Sequence, residues 1–382
     1  KYKCSALFIN KDYEKYAINR DEKISKVLLK NNIQFNKYKD QVIFEEKEIL
    51  TQNSTPYTVF TPYKNNHLKK IFNEGITQFD CESYKNNLAK FKFGPLLTLK
   101  TIGFEETNLS AINLTAGTKG GLILIEDFKK RIQNYDVNRN FPGTKGVSYL
   151  SVHNRFGTIS IRHLVKIALA NSSDGSSTWL NELIWRDFYF QILSNFPHIQ
   201  DGKSFKIKYN NLKFENNEKK FKAWKTGNTG FPIVDAGMRQ LNATGYMHNR
   251  LRMIIACFLV KDLLIDWRWG EKYFADHLID FDLSANNGGW QWAASTGCDA
   301  QPYFRIFNPT LQSEKFDPEG KFIKKYVPEL ELLSKKEIHQ PSVFFNKTPN
   351  HFPIKLGEDY PFPIVNHAEQ KAKVMTLFKD IT

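Results

Sequence analysis

The stretch that decides the fold covers residues 240–293, QLNATGYMHNRLRMIIACFLVKDLLIDWRWGEKYFADHLIDFDLSANNGGWQWA. Its apolar residues recur three and four positions apart, a spacing that predicts helices rather than strands. The stretch also contains indole, amide and carboxylate side chains, those of Trp267, Trp290, Trp292, Asn286, Asp280 and Asp282. Indole rings stack on bases or carry electrons, while amides and acids hold a polar ligand against an apolar wall. We therefore predict a helical domain around a polar binding site.

A second informative segment, WLNELIWRDFY, covers residues 179–189. Four of its side chains recur three and four positions apart and therefore share one helix face: Trp179, Glu182, Arg186 and Tyr189. Trp185 lies three residues after Glu182 and can reach the same side of a cavity. An amphipathic core helix with a surface ion pair would also explain each residue taken alone. A glutamate and an arginine within one aromatic helix indicate instead that the two are desolvated together or face a polar ligand.

The beginning of the chain has a different pattern. Residues 1–75 predict a βαβ unit, because strand-type segments at 5–10 and 33–44 flank a helix-type segment at 14–32. A parallel sheet normally has about four or more strands and both faces covered, so we expect this unit to be the back half of a larger α/β domain.

The remainder is predicted to be helical. Residues 76–115 contain Gly94-Pro95 and few periodic signals, which indicates an interdomain connection. From residue 116 to residue 382 the apolar spacing is that of helices, and strand signals are scarce. The predicted fold class is therefore a partial α/β domain followed by a large all-α domain.

Composition limits the possible partners. The 382 residues have a formal net charge of +14, which favours a polyanionic partner such as nucleic acid, although a lysine-rich proteome would give the same excess. The four cysteines form no CxxC pair, as expected for a reducing cytosol without structural zinc. No uninterrupted apolar run reaches the roughly 18 residues of a membrane span. We expect a monomer without a membrane anchor.

Two further motifs suggest ligand contacts. In residues 146–160, GVSYLSVHNRFGTIS, Ser148 and Ser151 lie near a predicted helix start, an arrangement that suits a pyrophosphate group. Asp280 and Asp282 alternate, so a metal site or an acid–base pair has to be considered. No histidine or further carboxylate has suitable spacing beside them, and we predict no metal.

These motifs together resemble the DNA photolyase and cryptochrome family, in particular its bacterial class I branch that acts on cyclobutane pyrimidine dimers. The resemblance is most specific in GWQWAAS at 289–295, MHNRLRM at 247–253 and residues 179–189, and it covers almost the whole chain. It implies a partial Rossmann-like antenna domain at 1–75 and a helical domain at 116–382 that binds FAD and DNA.

The resemblance also implies an activity. Reduced FAD would absorb blue light and pass an electron to a flipped pyrimidine dimer in UV-damaged DNA, in the cytoplasm and at the nucleoid. The alternative is a cryptochrome-like photoreceptor that binds FAD without repair; Asn286, Glu182 and Met253 favour repair. A third possibility, a basic helical nucleic-acid-binding protein, leaves the acidic pair unexplained.

Site residues follow from the same resemblance. The residues expected to contact FAD are Tyr135, Ser148, Leu150, Ser151, Trp179, Arg186, Asn249, Asp280, Asp282 and Asn286. The residues expected to act in catalysis are Glu182, Asn249, Met253 and Asn286. The residues expected to contact DNA are Arg139, Glu182, Trp185, Asn249, Arg250, Arg252, Trp292, Arg305 and Gln312.

Two departures from the family pattern concern electron transfer and light capture. Trp290 and Trp267 match the inner and middle members of the family's electron-transferring tryptophans, but Phe214 replaces the outer one, and phenylalanine is much harder to oxidise. The aromatic residues that could replace it are Trp224, Trp269, Tyr209 and Tyr273, which the sequence does not rank. Tyr16 and Ala17 occupy the positions of a folate-binding Asn–Glu pair, so a folate antenna is not supported and the antenna chromophore stays open.

Overall fold

The computed structural model describes residues 4–77, 79, 82–90, 94–105, 107, 112, 114–379 and 381. Its N-terminal part is the predicted βαβ unit. Strand β1 (Ala6–Asn10) and strand β2 (Gln34–Tyr38) are parallel and flank helix α1 (Lys15–Lys30). The register pairs the first residues of the two strands with each other and likewise the last. The prediction of a small α/β unit at this end is confirmed.

The rest of the described chain is helical, as predicted. The α-helices are α2 (Phe60–Glu74), α3 (Gly117–Lys129), α4 (Tyr135–Asn138), α5 (Ser151–Arg155), α6 (Ile161–Leu169), α7 (Asp174–Asn195), α8 (Glu218–Thr226), α9 (Pro232–Thr244), α10 (Asn249–Cys257), α11 (Trp267–His277), α12 (Leu283–Ala293), α13 (Pro309–Phe316), α14 (Lys321–Tyr326), α15 (Pro341–Lys347) and α16 (His367–Lys379). Short 3₁₀ turns cover Glu82–Asn87, Lys100–Ile102, Ile132–Asn134, Pro197–Asp201, Ile207–Asn211, Pro328–Leu330 and Pro349–His351. None of the described helices has the length and apolar character that crossing a bilayer requires.

Helix α7 connects the two parts of the fold. It begins with a capping box, in which Ser173 and Ser176 each accept a hydrogen bond from the other's backbone N–H. Buried side chains lie on all sides of this helix, because α2, the short helix α4, α6 and α12 all pack against it. Phe60 and Tyr63 of α2 belong to the same hydrophobic cluster as Phe188 of α7. The helix therefore holds one shared core; the predicted boundaries at 75 and 115 stay predictions.

The second core cluster surrounds helices α9 to α12. Helix α10 continues into a π-helical turn, Phe258–Asp262, which is wholly buried. The Lys261 ammonium donates to the Ser295 hydroxyl at 3.0 Å, and burial lowers the pKa of Lys261 to about 8. His367, at the start of α16, bonds to Asp262 at 2.5 Å. These contacts fix α10 and α12, the two helices that form one side of the site described next.

Candidate functional site

Helix α7 carries the side chains that begin the site. Glu182, Trp185, Arg186 and Tyr189 all line one chamber in the described structure. Tyr189 lies against α12 because Gly288 has no side chain there: a Cβ at that position would come within 2.2 Å of the tyrosine ring. The close approach of α7 and α12 thus depends on Gly288, whereas a Cβ on the neighbouring Gly289 would meet no atom within 4 Å.

The chamber consists of two connected cavities. The larger, about 380 Å³, is called the aromatic lobe; its wall includes Trp185, Tyr189, Phe274, Trp290, Trp292 and Asn286. The smaller, about 290 Å³, is called the serine lobe; its wall includes Tyr135, Ser148, Tyr149, Leu150, Ser151 and Arg155. The lobes share the wall residues Glu182, Arg186, Asn249, Arg252, Asp280, Asp282 and Ala285. Apolar surface with a few convergent polar groups is the usual character of a cofactor pocket.

Asp280 and Arg252 form an ion pair in the shared wall. One guanidinium nitrogen of Arg252 contacts both carboxylate oxygens of Asp280, at 2.8 and 3.0 Å, and its Nε donates to the Met247 carbonyl at 2.9 Å. The Asp280 side chain is 3% exposed. A carboxylate so buried needs its partner, so this pair fixes where α10 meets the loop before α12.

Glu182 and Arg139 form a second pair, with 2.6 Å between Oε1 and Nη1. Burial alone would lower the pKa of the Arg139 guanidinium, but the Glu182 carboxylate outweighs it and the net shift is upward. The guanidinium also lies over the Tyr135 ring, 5.4 Å from its centroid. Burial and, secondly, Glu182 raise the pKa of the Tyr135 phenol well above its ordinary value, so this hydroxyl stays protonated.

Asp282 and Asn286 have distinct roles on α12. Asp282 caps the helix, its Oδ1 accepting from the Ser284 and Ala285 backbone N–H groups at 3.0 and 3.2 Å. The Asn286 amide nitrogen donates to the backbone carbonyl of Glu271 at 3.1 Å. A backbone carbonyl can only accept, so it fixes the orientation of the amide. Among the described residues the Asn286 Oδ1 has no hydrogen-bond donor, and it is the atom of this amide that is left to accept from a ligand.

The turn before α5 forms the serine lobe. Tyr149 has a positive φ of 58°, an unusual conformation for a residue with a side chain. The turn is held by the Ser148 hydroxyl, which accepts from the Leu150 N–H at 3.4 Å. Ser148 and Ser151 both line the lobe, together with the cationic Arg155. Hydroxyls, backbone amides and a guanidinium suit a phosphate-bearing ligand.

The outer wall of the aromatic lobe is formed by two indoles. Trp185 stacks on Phe60 of α2, with ring centroids 3.7 Å apart and an angle of 9° between the planes. Trp292 has an edge contact with Phe307 at 6.3 Å. Met253 lines the same lobe, and its sulfur lies 3.8 Å from the Arg250 guanidinium. No pattern in the sequence marks Phe60, which lies 125 residues before Trp185.

Some predicted residues are not at the chamber. Trp179 lines neither lobe among the described residues: it is 3% exposed and packs on Phe128 at 4.8 Å, and its contact with the cofactor stays a prediction. Arg252, in contrast, lines both lobes and pairs with Asp280, and its contact with DNA stays a prediction. Arg250 lines neither lobe among the described residues: its guanidinium donates to the side-chain oxygen of Asn140 and lies over the Phe316 ring.

Arg305 and Gln312 also lie away from both lobes. Arg305 is exposed, and Gln312 is half-buried on α13. Among the electron-transfer residues, Trp290 lines the aromatic lobe, Trp267 is fully buried and Phe214 is half-buried. Missed residues include Gln41, whose carbonyl accepts a short hydrogen bond from Arg186, and Glu271. Both make their contacts through backbone carbonyls, which no residue pattern reveals.

Comparison with known proteins gives consistent results. The family profile "FAD binding domain of DNA photolyase" matches residues 179–380, and the profile "DNA photolyase" matches residues 1–81. Deoxyribodipyrimidine photo-lyase of Escherichia coli strain K12 is 40% identical over 379 residues, which cover 98% of this chain and 78% of that protein.

Two solved structures are similar throughout. The bacterial class III photolyase of Agrobacterium tumefaciens has a TM-score of 0.85 at 32% identity, covering 99% of this chain and 79% of that one. A cryptochrome of Synechocystis has a TM-score of 0.81 at 27% identity, covering 98% of this chain and 79% of that one.

Proposed function

This chain belongs to the DNA photolyase family and is a deoxyribodipyrimidine photolyase with FAD as cofactor, and from its chamber we propose that it repairs cyclobutane pyrimidine dimers by light-driven electron transfer. The partner that we propose is DNA carrying such dimers, bound by a monomer in the cytoplasm. The observation that carries the proposal is the aromatic lobe, where Trp185 and Trp292 flank a space next to Glu182, Asn249 and Met253.

The residues of the chamber fit FAD. Of its two connected lobes, one has hydroxyls and Arg155 in its wall and the other has aromatic rings. Of the predicted contacts, Tyr135, Ser148, Leu150 and Ser151 line the serine lobe, whereas Asn286 lines the aromatic one. Pyrophosphate binding in the serine lobe and ring binding in the aromatic lobe follow from this distribution of polar and apolar groups.

When bound in its reduced form, FAD supplies one electron after absorbing blue light and recovers it once the cyclobutane ring has split. Asn286 presents its amide oxygen to the lobe, which favours a ligand atom that carries a hydrogen. Such an acceptor matches a reduced flavin edge better than an oxidised one. The protein would thereby stabilise reduced FAD, the form that donates the electron.

The outer part of the lobe suits an extruded dinucleotide. Extrusion from the duplex sacrifices stacking, and Trp185 and Trp292 offer flat apolar surface in return. Glu182 stands where the two lobes meet, and Arg139 holds its carboxylate in place. We propose that Glu182 hydrogen-bonds the polar edge of the lesion and positions it against the cofactor.

Repair of a defined T–T dimer in a short oligonucleotide tests the proposal. Chemically reduced protein is illuminated with blue light without oxygen, and an identical sample stays in the dark. We expect intact thymines to return only in the light. A yellow protein that binds the oligonucleotide but leaves the dimer intact would contradict repair and favour the photoreceptor alternative, which the similarity to a cryptochrome keeps relevant.

A further inference from the structure

An aromatic cluster adjoins Trp290 on the side away from the chamber. The ring of Trp224 lies 6.2 Å from that of Trp290 and is fully buried. We propose that electrons reach Trp290 from solvent through Trp224 and Trp269, and not through Trp267 and Phe214. The inference rests on the proposed function, because such a pathway serves to reduce the resting flavin. Trp269, Phe221, Trp224 and Trp290 are called the aromatic relay.

The branch through Trp267 is disfavoured at both of its ends. Within the described part of the chain, the ring neighbours of Trp290 are Phe274 at 4.9 Å and Trp224 at 6.2 Å; Trp267 is not among them. The guanidinium of Arg268 lies 4.7 Å from the Trp267 ring and opposes the positive charge that oxidation creates, although Asp266 offsets part of this effect. At the far end stands Phe214, which does not oxidise under these conditions.

The branch through Trp224 favours transfer of the positive hole away from Trp290. The Trp224 Nε1–H donates to the Ile255 carbonyl at 3.4 Å, whereas the Nε1–H of Trp290 is buried without a partner among the described residues. Oxidation makes an indole N–H a stronger donor, so an acceptor on it stabilises the oxidised ring. A positive hole created on Trp290 is therefore more stable on Trp224.

From Trp224 the cluster reaches the surface through Phe221. The Phe221 ring is stacked on Trp224 with centroids 5.6 Å apart and contacts the half-buried Trp269 at 5.1 Å. Phe221 need not be oxidised, because it only shortens the gap between two indoles. Trp269 lines a surface depression of about 680 Å³ and is thereby open to solvent. The relay thus ends where a dissolved reductant can act.

Tyr273 lines the same depression and contacts Trp224 at 5.7 Å, yet it is the weaker terminus. A phenol must lose its proton when it is oxidised, and the Tyr273 hydroxyl donates at 2.8 Å to the side-chain oxygen of Asn242, a very weak base. The Lys225 ammonium, 5.9 Å from the Tyr273 ring, further opposes a hole there. An indole has no such requirement, which favours Trp269.

Each step of the aromatic relay transfers one electron. The oxidant is photoexcited oxidised flavin, which removes one electron from Trp290. Trp224 then reduces Trp290, and Trp269 reduces Trp224, each by one electron. A small thiol in solution finally reduces Trp269 and is itself oxidised. One electron from the thiol has then reached the chamber, and each tryptophan has returned to its starting state.

Transient absorption after a laser flash tests the relay in flavin-loaded protein without DNA. For Trp224→Phe and Trp269→Phe we expect the yield of long-lived tryptophan radical to fall at least about tenfold, because charge recombination overtakes the blocked step. For Trp267→Phe and for Tyr273→Phe, the matched control in the same depression, we expect a loss of less than about twofold. Each variant is first checked for its flavin absorption band and its melting temperature.

Two results would overturn the relay: an undiminished radical yield in Trp269→Phe, or loss of the radical in Trp267→Phe. Trp224 is fully buried, so Trp224→Phe can unfold; Trp269 is half-buried, and its variant alone then decides the question. Repair by chemically reduced protein is measured separately. Absence of repair in every sample would contradict the proposed function while leaving the radical measurement interpretable.

Discussion

The wall of the chamber and the outer surface predicted to contact DNA differ in how their charges are satisfied. In the wall, Arg139 pairs with Glu182 and Arg252 with Asp280, at 2.6 and 2.8 Å. On the outer surface, the Arg305 side chain is exposed and has no partner among the described residues. Paired groups fix the geometry of a site, whereas unpaired ones stay available for a ligand. Substitutions in the wall should therefore affect the cofactor, and substitutions outside should affect DNA alone.

The largest effect is expected for Asp280→Ala, which removes the partner of Arg252. An uncompensated charge in a partly buried wall costs about 3–5 kcal/mol, enough to lose the chamber and its flavin. The ratio of flavin to protein absorbance after purification measures this loss, and thermal melting measures the cost in stability.

Asp276→Ala is the matched control for Asp280→Ala. Asp276 also pairs with a cation, Lys272, but both side chains are more than half exposed. Exposed pairs contribute little, so we expect unchanged flavin content and melting temperature. Full flavin content in Asp280→Ala would show that the wall does not depend on its ion pairs.

The next largest effect is expected for His248, which precedes the wall residue Asn249 and affects stability. It caps α10 through Nδ1, which accepts from the Arg250 N–H at 3.1 Å. Burial, followed by Arg250, Arg252 and Arg139, lowers its pKa to about 3. The folded protein thus holds this histidine neutral, while the unfolded chain binds a proton below its ordinary pKa of about 6.5.

The sign of the pH dependence follows from that depressed pKa. The contribution of neutral His248 to stability is complete above pH 6.5 and is lost as the pH falls toward 3, by about 1.4 kcal/mol per pH unit. His248→Asn keeps a capping oxygen but binds no proton. We expect its denaturant-unfolding free energy to fall less steeply than that of the parent between pH 6.5 and 4. An unchanged slope, equal to that of the exposed control His351→Asn, would contradict the buried neutral histidine.

These residues also show what the sequence could and could not predict. The βαβ unit was predictable because its strands and helix have clear periods over neighbouring residues. The period of residues 179–189 puts Trp179 on the face of Glu182, but α7 has buried residues all round, so this period does not separate core positions from chamber positions. Trp179 packs in the core and Trp185 lines the chamber.

Contacts between distant segments were the least predictable part of the site. Phe60 stacks on Trp185, and Arg252 pairs with Asp280, through packing that no local pattern encodes. Gly288 shows the same limit, because its close contact with Tyr189 joins two segments almost 100 residues apart.

Glu182 is a wall residue that is also expected to contact DNA: it pairs with Arg139 and faces the lobe expected to receive the lesion. Glu182→Gln keeps the shape and a hydrogen-bonding oxygen but removes the charge. We expect the flavin content to be retained and the repair yield per absorbed photon to fall about tenfold, equivalent to about 1.4 kcal/mol. Glu126→Gln, an exposed glutamate paired with Lys129, is the control. Equal repair by the two variants would remove Glu182 from the catalytic residues.

The smallest effect is expected outside the wall, for Arg305→Ala. An exposed guanidinium that contacts one phosphate contributes through counterion release, so its loss should reduce the salt dependence of DNA binding by about one unit of slope in log K against log salt. Flavin content and repair at saturating DNA should stay as in the parent, because the side chain touches neither lobe. Titration of a dimer-containing oligonucleotide at several salt concentrations gives the slope. Lys272→Ala is the control, because it removes an exposed cation that is not predicted to contact DNA. A slope identical in parent and Arg305→Ala would show that DNA does not reach this residue, and the contact surface would then lie closer to Asn249 and Trp292 at the mouth of the aromatic lobe.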